Sequence, residues 1–243
     1  MTQPAIHFHE TSSAVAHKLR GDTGIDPATW PAEWTDISFK CYDRLPWRRL
    51  PPPAFDSDMP LRDVLLARRS RRTLSGEPLT EQQLSTLLHA SLANHPDDPT
   101  ASRRPYPSGG ARFPTECYVI AVNVTSLPGG VYHYDPSRNG LHLLAQRPLS
   151  DELERCFVVP WIVQARAILV LTTMLARTSC KYGDRGYRFG LIEAGHAAQN
   201  LALVGTALGI GITPVGGFAD EPLRRLLGVF QGDELVAHTM VLP

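Results

Sequence analysis

The chain has 243 residues, with 24 basic and 24 acidic side chains and 43% apolar residues. That length and apolar share suit one domain, or a domain with an arm, and exclude global disorder. A net charge of zero argues against a general nucleic-acid binder, which is usually strongly basic.

Residues 1–57 are rich in proline, tryptophan and polar residues and lack sustained periodicity. They predict an extended arm with one short helix, packed on a body that spans residues 58–243. The body opens with Pro60 at a first-turn position and Leu61, Val64, Leu65 and Leu66 in a helix reaching Arg69. Thr80-Glu81-Gln82-Gln83 is a capping box, and Leu84, Leu87, Leu88 and Leu92 continue it as a helical stripe. Residues 94–114 hold five prolines and form a long loop, a type that tends to be functional or mobile.

Cys117–Val124 reads as a strand, and Val131–Tyr134 with Leu141–Leu144 as a hairpin. A short helix over Ser150–Phe157 and a buried strand over Ala167–Thr173 follow. Tyr187–Leu208 is the longest helix, rich in Ala, Gly and Leu. Asp220–Leu227 is a short helix ended by Gly228, and Leu235–Leu242 is a last strand. Helices and strands mix without a strict βαβ repeat, so the fold class is α+β.

Four cysteines, Cys41, Cys117, Cys156 and Cys180, show no metal-like spacing. There is no signal-peptide pattern, and every long apolar stretch is interrupted by polar residues. The expectation is a reduced, cytoplasmic protein without structural zinc. No P-loop, Rossmann fingerprint, nucleophile elbow or zincin motif occurs. Glu193 and His196 stand three apart on the long helix, but a di-iron site needs two such pairs. They read instead, with Asn200, as a polar stripe meeting another chain or a buried network, and no metal is expected.

Three segments carry a chemical signal. Arg68-Arg69-Ser70-Arg71-Arg72 sets four guanidiniums around a hydroxyl, which a phosphate monoester would compensate bidentately. A solvated basic helix end is the alternative. In Tyr106-Pro107-Ser108-Gly109-Gly110-Ala111-Arg112, proline sets φ, serine supplies a donor and two glycines let backbone approach a flat ligand. An ordinary turn is the alternative. Gly209-Ile210-Gly211-Ile212-Thr213-Pro214-Val215-Gly216-Gly217-Phe218 offers bare amides beyond the long helix, or simply a helix cap and a tight strand.

Together these segments resemble the nitroreductase superfamily. With His9-Glu10-Thr11, Gly130-Val131-Tyr132-His133-Tyr134 and Glu193 to Leu201 they resemble its SagB-type dehydrogenase branch, which includes peptide azoline dehydrogenases. The resemblance implies a nitroreductase-like mixed sheet flanked by helices, a homodimer and bound FMN. It implies that Arg68, Arg69, Ser70 and Arg72 hold the FMN phosphate and ribityl chain. Pro107, Ser108 and Gly109 would reach the ring from the partner subunit, and Val215, Gly216 and Gly217 would lie near flavin N5. Family members commonly carry a cation near the end. This chain reads Val241-Leu242-Pro243 there, which puts more weight on the Arg68–Arg72 cluster.

Only three of the 24 basic residues are lysines, and Lys181 is the only one after residue 40. Lysine can lose its proton usefully where arginine cannot. The resemblance makes Lys181 and Tyr182 a catalytic pair, expected in a loop at the pocket mouth; a surface lysine beside a packed tyrosine is the alternative. The implied substrate is an azoline on a peptide or carrier, with a cyclodehydratase or synthetase as partner. Competing expectations are an NAD(P)H-dependent nitro or quinone reductase and a non-catalytic flavin- or peptide-binding subunit.

Overall fold

The computed structural model describes residues 3–13, 31–95, 97–98, 103–229 and 232–243. Most of the early arm, including Lys18, and the middle of the proline-rich loop lie outside the described residues. Helices α1 (Gln3–Thr11) and α2 (Ala32–Thr35) precede strand β1 (Trp47–Arg49). Then come α3 (Leu61–Ala67), α4 (Glu81–Leu92), β2 (Thr115–Ala121), β3 (Gly130–Asp135) and β4 (Gly140–Ala145). The chain continues through α5 (Ser150–Cys156), β5 (Ala167–Met174), α6 (Leu175–Tyr182) and α7 (Arg185–Ala207). It closes with β6 (Thr213–Pro214), α8 (Asp220–Leu227) and β7 (Glu234–Leu242).

The strands form one sheet in the order β1-β4-β3-β2-β5-β7-β6, with antiparallel pairing. The fold is the expected α+β, a mixed layer of helices on both faces of the sheet. That double cover explains why β2 is buried along its whole length, every residue from Thr115 to Ala121. Cys117, Val119 and Ala121 point to one side, into a core with α4 and α7. Tyr118 and Ile120 point to the other, into a core with α5 and α8.

Local chemistry sets several boundaries. Thr80 caps α4 by accepting from the Gln83 amide at 3.0 Å, and Gln83 returns a bond to the Thr80 amide at 3.0 Å. Gly228 ends α8 in the left-handed region at φ 74°. Helix α7 lies close to the sheet because a Cβ at Gly190 would collide with Thr173, and one at Gly205 with Ile212.

The arm does more than wrap the body. Its β1 pairs with β4, Trp47 opposite His142. Lys40 is ion-paired to buried Glu234, whose other oxygen accepts from Tyr118 Oη and Thr172 Oγ1, each at 2.7 Å. Among the described residues, no helix is long and apolar enough to cross a membrane.

Candidate active site

Helix α3 stops at Ala67, and the backbone turns extended at Arg68, with φ −59° and ψ 124°. The arginine run is therefore not a basic helix end. It lies along the third segment: the Arg71 amide donates to the Ile212 carbonyl at 3.3 Å, and Thr213 Oγ1 donates to the Arg71 carbonyl. Gly211 permits the approach, since a Cβ there would stand 3.3 Å from the Arg71 Cβ. Between the two segments is a cavity of about 460 Å³. Residues 69–75 line one side; Arg166, Gly209, Gly211 and Pro243 line the other.

This lining holds four arginines, Arg69, Arg71, Arg72 and Arg166, and no Asp or Glu side chain. Like charges held together without an acidic side chain favour an anion, and guanidinium forks match phosphate oxygens. Ser70 also faces the cavity, whereas Arg68 is not in its lining. Arg71 and Arg166 are members that the sequence reading missed. Arg71 was legible as part of the run; Arg166 precedes a buried strand and gives no local signal.

Beyond the cavity, Val215 is buried and held to β7, its amide donating to the Thr239 carbonyl at 3.0 Å. The Gly217 carbonyl accepts from the Val158 amide at 3.1 Å. Gly216, between these anchors, is exposed, with open space where a side chain would stand. The backbone can meet a flat ligand there.

The second segment lies elsewhere. Ser108 Oγ accepts from the Phe113 amide at 2.8 Å, so this oxygen is engaged within the subunit. Burial raises the Glu193 pKa, and Ser108 and the Thr115 amide partly offset that. Gly110 has φ 66°, and a Cβ there would overlap Tyr182 Oη. Arg112 next ties the segment to α6, donating to the Arg177 carbonyl at 2.5 Å and to Cys180 Sγ at 3.2 Å.

Lys181 and Tyr182 are thus neighbours of the Pro107–Gly110 segment, and they close helix α6 rather than sit in a loop. The few apolar residues of Cys180-Lys181-Tyr182-Gly183 misled the loop expectation; α6 buries Arg177 and Thr178 instead, with their polar groups bonded. Tyr182 stacks edge-on against Phe189 at 4.9 Å, and Lys181 Nζ stands 5.5 Å from the Trp34 ring centre. Desolvation and the nearby Arg112 charge hold the Lys181 ammonium below the usual lysine pKa. Burial pushes the Tyr182 phenol up.

The two clusters mark opposite ends of α7. Its 23 residues separate Tyr182 from the Gly209–Gly211 wall by roughly 33 Å of helix, about six turns. One chain therefore unites the first and third segments, and separately the second with Lys181 and Tyr182. The polar stripe on α7 divides: Glu193 is buried, Asn200 donates to the Pro105 carbonyl at 2.9 Å, and His196 is exposed.

Residues 65–241 match the model of the Nitroreductase family, and the chain belongs to that family. A nitroreductase homologue of Methanocaldococcus jannaschii is 35% identical over 173 residues, covering 71% of this chain and 86% of the relative. The microcin B17-processing protein McbC of Escherichia coli is 32% identical over 146 residues, covering 55% of this chain and 52% of McbC. A nitroreductase-like structure from Anabaena variabilis superposes with a TM-score of 0.74 at 25% identity, covering 97% of this chain but only 46% of that one. A chain of the Escherichia coli microcin synthetase McbBCD complex, with truncated pro-MccB17 bound, gives a TM-score of 0.61 at 22% identity, covering 97% and 85%. The McbC likeness accords with the branch that the sequence motifs resemble.

Proposed function

We propose that this chain is an FMN-dependent oxidoreductase that oxidises thiazoline or oxazoline rings to azoles on a peptide or carrier-bound substrate. The observation that carries the reading is the cavity lined by four arginines and no Asp or Glu side chain, flanked by bare glycine backbone at one end of α7. The similarity to McbC supports the substrate class, and the microcin synthetase likeness supports a cyclodehydratase or synthetase partner.

The cavity fits the phosphate end of FMN in charge and size. Arg69, Ser70, Arg71 and Arg72 would hold it there, with Val215, Gly216 and Gly217 along the ring. When bound, FMN supplies the acceptor for a hydride. Aromatising an azoline removes that hydride and, from the adjacent Cα, a proton, and the protein must take the proton. Lys181 Nζ and Tyr182 Oη are the groups built for that transfer. The lowered Lys181 pKa raises its share of free amine, and Tyr182 is fixed by Phe189 and Gly110 to orient the ring or relay the proton.

Because Lys181 and the arginine cavity lie six turns of α7 apart, the reading requires a homodimer in which each subunit brings its Lys-Tyr end to the other's cavity. Leu61, Leu65 and Leu66 on α3 and Ile192 on α7 are exposed and would be covered in such a pair. The test is anaerobic single-turnover bleaching of the flavin by an azoline-bearing peptide, with NAD(P)H as comparison. Bleaching by the azoline with release of azole is expected. Rapid bleaching by NAD(P)H alone overturns the reading in favour of a simple reductase.

A further inference from the structure

Arg166 is held more firmly than any other cation of the cavity. Its amide donates to the Leu242 carbonyl at 2.8 Å, and its carbonyl accepts from the Val122 and Asn123 amides at 3.1 and 2.8 Å. The side chain is 8% exposed, and Nε donates to the Pro243 oxygen at 2.8 Å. Its two terminal nitrogens have no hydrogen-bond partner among the described residues, and the residue lines the cavity opposite Arg69, Arg71 and Arg72.

A buried guanidinium cannot shed its charge, and no Asp or Glu side chain lines this cavity to meet it. Burial lowers the Arg166 pKa. The other three arginines are exposed, with long side chains that must be ordered before they can grip. Arg166 is ordered already, by Pro243 and by its backbone bonds to Leu242 on one side and to Val122 and Asn123 on the other.

We infer that Arg166 is a phosphate-binding residue, the fixed point of the cavity, and that it selects the phosphorylated flavin over the unphosphorylated one. This rests on the flavin reading and adds to it the residue that discriminates phosphate monoester from free hydroxyl. The pinned fork offers two donors to one phosphate, while the three mobile arginines close over it.

The experiment is flavin binding by flavin-free protein, followed by fluorescence quenching, with FMN and riboflavin titrated into wild type and Arg166→Gln. Wild type is expected to prefer FMN. In Arg166→Gln, FMN affinity should fall by about 10- to 100-fold, the scale of a lost charge-assisted hydrogen bond, while riboflavin affinity stays put. Equal losses for both flavins, or no loss for FMN, overturn the assignment. Should Arg166→Gln fail to fold, Arg166→Lys keeps the charge but loses the fork. Its FMN-to-riboflavin preference must then fall, and an unchanged preference overturns the inference. Wild type that binds neither flavin overturns the flavin reading itself, and this one with it.

Discussion

The two ends of α7 are built from different materials. At its C-terminal end, glycine backbone and four arginines of one chain line a cavity. At its N-terminal end, Lys181 and Tyr182 stand on an aromatic scaffold of Trp34 and Phe189, braced by Arg112 and the Gly110 turn. The first end is suited to hold an anion and offers no base; the second offers proton-transfer groups and no anion cradle. Grip and chemistry should therefore be separable by mutation.

The largest expected effect sharpens that separation. Lys181→Ala and Tyr182→Phe should keep flavin spectra and melting temperature yet lose azoline oxidation by about 10²–10⁴-fold, the range for a positioned acid–base group. Lys181→Arg should not rescue. If Lys181 is the base, activity rises with pH along a limb below the usual lysine range. A limb above the usual tyrosine range would move the role to Tyr182. At FMN concentrations too low to fill the Arg72→Ala cavity, mixing Lys181→Ala subunits with Arg72→Ala subunits should restore part of the activity, because one site in each mixed dimer is intact. No recovery would break the two-ended picture.

A second effect acts on the chemical end alone. Arg177 of α6 is ion-paired at 2.6 Å to Glu116, which also bonds His133 at 2.7 Å. Burial pushes the Glu116 carboxyl up, but His133 and Arg177 outweigh it and hold the pKa at about 2. A depressed carboxylate stabilises the fold above its unfolded pKa, and that stability is lost as pH falls toward the folded value. Unfolding measured from about pH 4.5 down to about 2 should show a loss of about 3 kcal/mol that Glu116→Gln flattens. Wild type and Glu116→Gln with parallel acid limbs would remove this brace from the account.

The smallest effect belongs to the gripping end. Arg72→Ala should weaken FMN binding by about 1.5–3 kcal/mol by titration, with kcat at saturating FMN unchanged. A fall in kcat would mean that the ends are coupled.

What the sequence revealed follows the range of each signal. The capping box at Thr80 and the stop at Gly228 are local chemistry, and both ends of α8 agree with the reading. Strand β1 escaped because its three residues are exposed and show no alternation; only pairing with β4 makes them a strand. Helix α6 escaped because its inward face is polar, with Arg177 buried through hydrogen bonds that hydrophobic periodicity does not register. The arginine run and the glycine segment were legible as types, but their meeting at Arg71 and Ile212, and the arrival of Arg166 from the far side, belong to the folded sheet.

The Lys40–Glu234 pair sets a limit on how the chain can be shortened. The match to the family begins at residue 65, which invites a cut there. Such a cut would remove the cation and leave a carboxylate, with Tyr118 and Thr172 bound to it, inside the sheet without the ion-pair partner it has among the described residues. It would also strip β4 of its outer neighbour and leave a bare strand edge prone to pair with other chains. The smallest piece that behaves as this protein must therefore keep Lys40, twenty-five residues ahead of where the family likeness starts.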